Sequence, residues 1–593
     1  MIRHVRLSRS AERDLLRLNL FLSTKSPSAA RKALERVAAG LKSLESFAER
    51  VSACAVAFVL MTSAVFAAPT PGAEALRSAE HVKAHMAFLA SDLLEGRETG
   101  ARGADIAAEY IASQYRQLGL TPAGEGGTYF QRVPLLAYRA SGTGALILHP
   151  RDGASIPLIF GEDYLPGHNP VAGEVRVSGA LVFVGYGVVA PERGRDDYKG
   201  LQVRGKIVVA LSGAPAGIQS EERAYYASGR TKRLEAARHG AVGYLQLSLP
   251  EQERRRPFSD GLRTWDAWAM TWRLPDSAPF DIAPGVPSLG ALSVKGAAKL
   301  FAGAPSNFDE VVAAAVGPAE APPRFDLAVS ITANVSGETK AVESRNVAGL
   351  LPGADRLLKA EVVVLSAHLD HLGLTRPVDG DAINNGALDN AAGIATTLEV
   401  ARSFVESGKR PRRSILFLAD TGEEKGLLGS EYFARNPTVP LASIVADVDL
   451  DMPILTYDFI DVVAFGADRS EIGVAVRRAA GRLGIGLSAD PLPEEGLFIR
   501  SDHYRFVEVG VPAVFLMTGF ANGGEAQYRS FLAHCYHRPC DDLSQPIDYL
   551  AGAKFARLNY QLTRELSDMP KRPAWNPGDF FGEKYGSAAQ RQP

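Results

Sequence analysis

Residues 362–373 read VVVLSAHLDHLG, an apolar, β-branched run that stops on His368, Asp370 and His371. A short continuous apolar run of this kind predicts a strand buried on both faces, as in a parallel sheet. The neighbouring segments repeat the pattern. VSITANV (329–335), NVAGLL (346–351), SILFLA (414–419) and SIVADVDL (443–450) read as further strands, and a helix follows from Asn390. Strands separated by helical segments predict an α/β fold: a mixed, mostly parallel sheet with helices on both faces. In such sheets sites form at the carboxyl ends of strands, where His368 and Asp370 leave VVVLSA.

The segments around this strand carry polar groups of one kind. In GALDNAAGIATTLEVARSF (386–404), Asp389 stands at the expected N-cap of the helix. In FLADTGEEKGLLGSEYF (417–433), Glu423 and Glu424 end an apolar run, where strand ends face a site rather than bulk water. In VADVDLDMP (445–453), Asp447, Asp449 and Asp451 recur at period two and so share one face of an extended segment. Carboxylates so placed repel unless a cation neutralises them. HCYHRPCDDL (534–543) adds His534, Tyr536 and His537. Each piece alone fits a cap, a surface acid pair or a structural histidine. Together they offer nitrogen and oxygen ligands from successive segments, which suits two borderline cations sharing a carboxylate.

Composition narrows the field. A chain of 593 residues, 46% hydrophobic and 22% charged, with 57 Gly and 36 Pro, is folded, rich in turns and long enough for roughly three or four domains. A net charge of -2 with both signs interspersed leaves no footprint for nucleic acid. The three cysteines, Cys54, Cys535 and Cys540, exclude a disulfide framework and a thiolate zinc site, so any metal must use His and carboxylates. Cys535 and Cys540 either close one small loop or stay as thiols.

VSACAVAFVLMTSAVFAA (51–68) is uncharged and ends in a small-residue pattern, so it is either a signal peptide or a membrane anchor, and the protein is expected to be exported. Residues 1–50 form an atypical basic extension, of which 7–44 resemble the opening helical hairpin of RelE/ParE-type toxins. Apolar residues at helical spacing from Ile106 to Leu118 predict a helix closed by Gly119. Just upstream, LEGRETGARG (94–103) reads as a loop pinned by a Glu95–Arg97 ion pair. From 136 to 325 short strands separated by Gly, Pro and Asp form a different texture. Residues 182–213 and 234–247 resemble the protease-associated (PA) domain. The expected layout is a peptidase domain in two parts, 69–135 and 326–568, interrupted by a PA-like domain at 136–325. A helix at 551–566 then precedes a polar tail, 569–593.

HLDH, GALDNAAG, GEEKGLLGSEYF, DLDM and CYHRPCD, in that order, resemble the signature blocks of the M28 family of zinc aminopeptidases. The resemblance covers roughly 80–135 and 326–568. It implies a peptide-hydrolysing enzyme with two zinc ions, one held by His368 and Asp451, the other by Glu424 and His537, with Asp389 bridging. It also implies Glu423 as general base, Tyr536 as oxyanion donor, and Asp370 as hydrogen-bond partner of the far nitrogen of His368. Asp502 and His503 in RSDHYRF match a motif near the family's pocket and receive no role beyond packing or support of the ligands. The departures are Asp449, where relatives tend to carry Asn, and Pro453 after Met452. Peptides are the expected partners. Competing readings are a single-zinc glutaminyl cyclase or a carboxypeptidase on the same fold, and a non-catalytic binding protein that works through its PA-like module.

Overall fold

The structure is a computed structural model that describes residues 71–589. The expectations for residues 1–50 and 51–68 lie outside the described residues. The chain divides into two compact units, Met1–Ala73 and Glu74–Pro593, and all described residues except Pro71–Ala73 belong to the second. Among the described residues no helix is long and apolar enough to cross a membrane.

The sheet that carries the site contains strands β1 (Phe130–Ala140), β2 (Phe325–Leu351), β3 (Val362–His368), β4 (Ser414–Asp420), β5 (Ile444–Asp449), β6 (Asp461–Phe465), β7 (Gly486–Ser488) and β8 (Ala513–Thr518). Their spatial order is β1-β2-β4-β3-β5-β8-β6-β7. The central neighbours β4, β3, β5 and β8 run parallel, and β2 and β6 join them antiparallel on either side. This is the mixed, mostly parallel sheet the apolar runs predict. Every residue of β3, β4, β5 and β8 is buried, which explains why these strands read as continuous rather than alternating hydrophobic runs.

The helices that accompany the sheet include α1 (Pro71–Leu89), α2 (Arg102–Gln117), α3 (Ala392–Glu406), α4 (Leu428–Arg435), α5 (Ile472–Leu483), α6 (His503–Glu508), α7 (Tyr549–Asp568) and α8 (Phe580–Ala589). Helix α7 packs on α3 and α5, while α4 packs on α6. The stretch expected to be a polar tail thus contains α8. Its Phe580 and Phe581 meet Tyr225 with ring centroids 5.6 Å and 6.3 Å away, and Phe581 meets Phe498 at 4.9 Å.

The segment expected to interrupt the peptidase is joined to it through β2. The first half of β2 pairs antiparallel with Gly173–Phe183, its middle pairs with β1, and its end, from Val347 to Leu351, pairs with β4. The two strands expected at 329–335 and 346–351 are therefore one, and the expected boundaries at 135/136 and 325/326 fall within β1 and at the start of β2. Beyond Gly173–Phe183, the strands Ile207–Leu211, Gly243–Leu247 and Ser288–Leu292 continue in parallel pairing. Polar contacts tie this segment to the peptidase part: Arg469 pairs with Glu222 at 3.2 Å, the amide of Gly466 donates to Glu221 at 2.9 Å, and Trp272 Nε1 donates to Glu431 at 3.2 Å.

The LEGRETG loop differs from expectation in one instructive way. Glu95 is exposed and Arg97 is 1% exposed, so the expected ion pair between them is not formed. The Arg97 guanidinium instead donates to the backbone carbonyls of Leu89, Leu369 (2.9 Å), Asn385 (2.6 Å) and Gly386 (3.0 Å). It stitches three loops that meet under the site, because buried carbonyls need donors and a guanidinium supplies five. Gly96 makes the approach feasible: it has φ +71, and a Cβ there would lie 2.4 Å from the carbonyl oxygen of Asn384.

Candidate metal centre

Three adjacent parallel strands deliver the first groups. His368 is the last residue of β3, Glu423 and Glu424 follow β4, and Asp451 follows β5, all at the carboxyl edge of the sheet. Asp389 comes from the turn before α3 and His537 from the loop before α7. Asp389 is not the N-cap expected of it. It sits in an irregular turn, Ala387–Ala391, and α3 begins at Ala392 with no side-chain cap. Two groups shape that turn. Gly386 adopts φ +58, where a Cβ would lie 2.2 Å from the carbonyl oxygen of Asp389. The Asp541 carboxylate accepts from the amides of Leu388 (2.9 Å) and Asp389 (3.0 Å).

The side chains converge. His368 Nε2 lies 3.3 Å from Asp389 Oδ1 and 3.1 Å from Asp451 Oδ1. His537 Nε2 lies 3.3 Å from Asp389 Oδ2 and 3.2 Å from Glu424 Oε2. The two oxygens of Asp389 thus face two imidazoles on opposite sides. Ligand atoms of His368, Asp389 and Asp451 lie within 4.8 Å of one another, as do those of His371, Asp389 and Glu424.

His371 has no role in the sequence reading, yet its Nδ1 is 2.6 Å from Glu424 Oε1, and it is fully buried. As the hydrogen-bond donor it occupies one oxygen of Glu424 and leaves Oε2 toward His537. Asp541, which shapes the Asp389 turn, was also missed. The first of these stands in the quoted HLDH and the second in CYHRPCD, so position within the motif blocks was the available signal.

Asp370 supports His368 by a different route from the one expected. The backbone carbonyl of Asp370 accepts from His368 Nδ1 at 3.1 Å, while its carboxylate stands 3.9 Å off. The carboxylate accepts from Thr99 Oγ1 (2.6 Å) and from the amide of Glu423 (3.2 Å), so it links the ETG turn to the acidic loop. With Nδ1 donating, Nε2 is the free lone pair that faces Asp389 and Asp451. Asn390 ties the same turn to the loop of Asp451, donating to the carbonyl of Leu450 (2.9 Å) and accepting from the amide of Met452 (3.2 Å).

The electrostatics are those of a concentrated anionic pocket. Burial works against the His368 imidazolium, but Asp451, Glu423 and Asp389 outweigh it and hold its pKa well above the ordinary value. Burial likewise opposes His537, whose pKa Glu424 and Asp389 raise to about 10. Despite burial and repulsion from Asp389, the imidazoles of His537 and His371 hold Glu424 at about 2. Glu423 moves the other way: burial, helped by Asp451 and Glu424, raises it well above the carboxylate range against the pull of His368.

Deeper still, Asp420, Asp447, Asp449 and Asp502 form a buried carboxyl layer beside His503. Burial pushes Asp502 up to about 6 and Asp447 well above the usual range. Ser501 connects this layer to the centre by donating to Asp449 and to Asp451 Oδ2 at 2.8 Å.

These donors fit zinc. They are imidazole nitrogens and carboxylate oxygens, buried or nearly so, and among the described residues no Lys or Arg pairs with Asp389, Glu424 or Asp451. Buried carboxylates left without such partners are costly, and a cation removes that cost.

Residues 346–563 match the model of Peptidase family M28. They form an M28 peptidase domain. A probable zinc metalloprotease of Pyricularia oryzae is 30% identical to the chain over 244 residues, 35% of this chain and 47% of that protein. Leupeptin-inactivating enzyme 1 of Streptomyces exfoliatus is 28% identical over 205 residues, 32% of this chain and 42% of that protein. The chain thus spans less than half the length of these curated relatives. Among solved structures, an aminopeptidase from Aneurinibacillus sp. strain AM-1 has a TM-score of 0.49 and 18% identity, over 85% of this chain and 97% of that one. The M28 domain encloses every residue of the centre, from His368 through Asp389, Glu423, Glu424 and Asp451 to His537.

Proposed function

We propose that the protein is a two-zinc peptidase that removes residues from the free amino termini of peptides. The observation that carries this reading is the single carboxylate of Asp389 set between two donor groups, with the Glu423 carboxyl under the influence of His368 and Asp451 of the same cluster. His368 and Asp451 would hold one zinc, Glu424 and His537 the other, and Asp389 both. Zinc bound there supplies a Lewis acid for the scissile carbonyl and a lowered pKa for water. The motif blocks shared with zinc aminopeptidases support action at the amino terminus.

The remaining chemistry belongs to the chain. Glu423 accepts a proton from the attacking water and returns it to the departing amine, and a carboxylate of raised pKa serves both directions. Tyr536 donates a hydrogen bond to the developing oxyanion and keeps its proton. Its ring stacks on His537, with centroids 3.8 Å apart, and the Cys535–Cys540 disulfide closes the loop that holds both residues. Asp370 fixes the His368 tautomer through its carbonyl. The ladder of strands at 173–292 supports reading 136–325 as a PA-like module set into a peptidase domain of 69–135 and 326–568. The uncharged stretch 51–68 supports export, through a signal peptide or with a retained anchor.

The test is a panel of free aminoacyl, amino-blocked and carboxyl-blocked peptides, assayed before and after chelation and after zinc return. The expected result is cleavage that requires a free amino terminus, stops on chelation and resumes with zinc. Cleavage from the carboxyl end would make it a carboxypeptidase, and cyclisation of amino-terminal Gln with no hydrolysis would make it a cyclase. Activity undiminished by complete zinc removal would end the metal reading altogether.

A further inference from the structure

Arg500 lies at the mouth of the site, one residue before Ser501, and the sequence singled it out for nothing. It follows the turn Leu497–Ile499, and its Nη2 donates to Tyr536 Oη at 3.3 Å. Its Nη1 reaches the carbonyl of Glu495 at 3.2 Å and the Glu495 carboxylate at 3.4 Å. That ion pair is 44% exposed on one side and 43% on the other, so solvent screens it. The contact with Tyr536 is the one that bears on chemistry.

A guanidinium has donors and no acceptor. In the bond with Arg500 the Tyr536 oxygen must therefore accept, and its single proton is left to point elsewhere. The other constraints on Tyr536 act on its ring and backbone, through the stack on His537 and the Cys535–Cys540 loop, and leave the rotation of the hydroxyl proton free. We propose that Arg500 is a positioning residue that fixes the polarity of the Tyr536 hydroxyl, turning its proton toward the oxygen of the scissile carbonyl. This rests on the reading of Tyr536 as oxyanion donor.

The segment inserted before β2 holds the loop in place. Arg223, on the helix Ser220–Ala227, donates to the carbonyl of Pro493 at 2.8 Å. A Cβ at Gly496, which has φ +61, would lie 3.2 Å from the Cβ of Ala224, so this helix packs directly against the loop of Arg500. The insertion thereby reaches the catalytic centre through one loop and one arginine.

The experiment compares Tyr536→Phe, Arg500→Ala, Arg500→Lys and the double variant Tyr536→Phe/Arg500→Ala in the zinc-loaded enzyme. Zinc content and circular dichroism check that each is folded and metallated. Tyr536→Phe is expected to lower kcat by about 10²–10³-fold. Arg500→Ala removes a hydrogen bond from a charged donor, so kcat should fall by roughly 10–100-fold with KM little changed. Arg500→Lys should recover part of the loss, since an ammonium also only donates. The double variant should be no slower than Tyr536→Phe, because Arg500 acts only through that hydroxyl.

The outcomes separate the two readings. Near-normal kcat in Tyr536→Phe would remove the oxyanion role itself. A slow Tyr536→Phe with unaffected Arg500→Ala, or losses that multiply in the double variant, would overturn the role of Arg500 while Tyr536 keeps its own. A rise in KM at constant kcat in Arg500→Ala would make Arg500 a substrate-binding group and also overturn the proposal.

Discussion

Glu423→Gln is expected to keep both zinc ions and to lose hydrolysis by about 10²–10⁴-fold, the usual contribution of a positioned general base. The reason lies in the separation of labour between two neighbouring residues. Glu424 is held at about 2 by two imidazoles and faces His537 and His371, which suits a permanently charged ligand. Among the described residues no side chain hydrogen-bonds the Glu423 carboxylate, and its pKa is raised by burial and by the acids around it. Of the pair it is the carboxyl shifted toward holding a proton, while Glu424 is shifted toward losing one. Glutamine matches its shape and holds the loop but accepts no proton. The amide of residue 423 would still donate to Asp370, so the support of the loop survives the change. A metal-loaded Glu423→Gln enzyme of near-normal rate would remove Glu423 from the chemistry.

Asp389→Asn is expected to reduce bound zinc below two per chain and to lower activity by roughly 10³-fold or more, since each metal supplies several kcal/mol of charge stabilisation. Its two oxygens face different imidazoles, at 3.3 Å on each side, so its charge is shared by both donor groups. His368 and His537 hold it well below the ordinary carboxylate range despite burial. Asparagine keeps the shape, and the turn stays anchored by the Asp541 carboxylate on the amides of Leu388 and Asp389. The loss should therefore appear in metal content rather than in folding. Two zinc ions retained at normal affinity in Asp389→Asn would show that the centres do not share this residue.

The strand VVVLSA, its buried neighbours and the order of the ligand segments were legible because a strand buried on both faces writes its position as an apolar run. The first polar residue after such a run then marks the active edge. What could not be read depends on pairs far apart in the chain. His371 matters through Glu424, 53 positions away, and the two meet only because β3 and β4 are neighbours in the sheet. Arg97 looked like half of a local ion pair because its acceptors are carbonyls, which carry no signature in side chains. Helix α8 was hidden because its Phe580 and Phe581 find their aromatic partner in Tyr225, far upstream. The long β2 was read as two strands because the polar stretch between its apolar halves pairs with β1 and is largely exposed. Asp389 was legible as a ligand through the motif blocks, but its expected N-cap position was not borne out, because Ala387–Ala391 forms an irregular turn ahead of α3.

In the proposed centre Asp389 joins two metal sites. The most direct measurement is zinc per chain in the purified enzyme after dialysis against metal-free buffer, titrated against peptide hydrolysis. Two zinc ions per chain are expected, with full activity reached only as the second binds. Full activity at one zinc, or hydrolysis that persists with none, would contradict it.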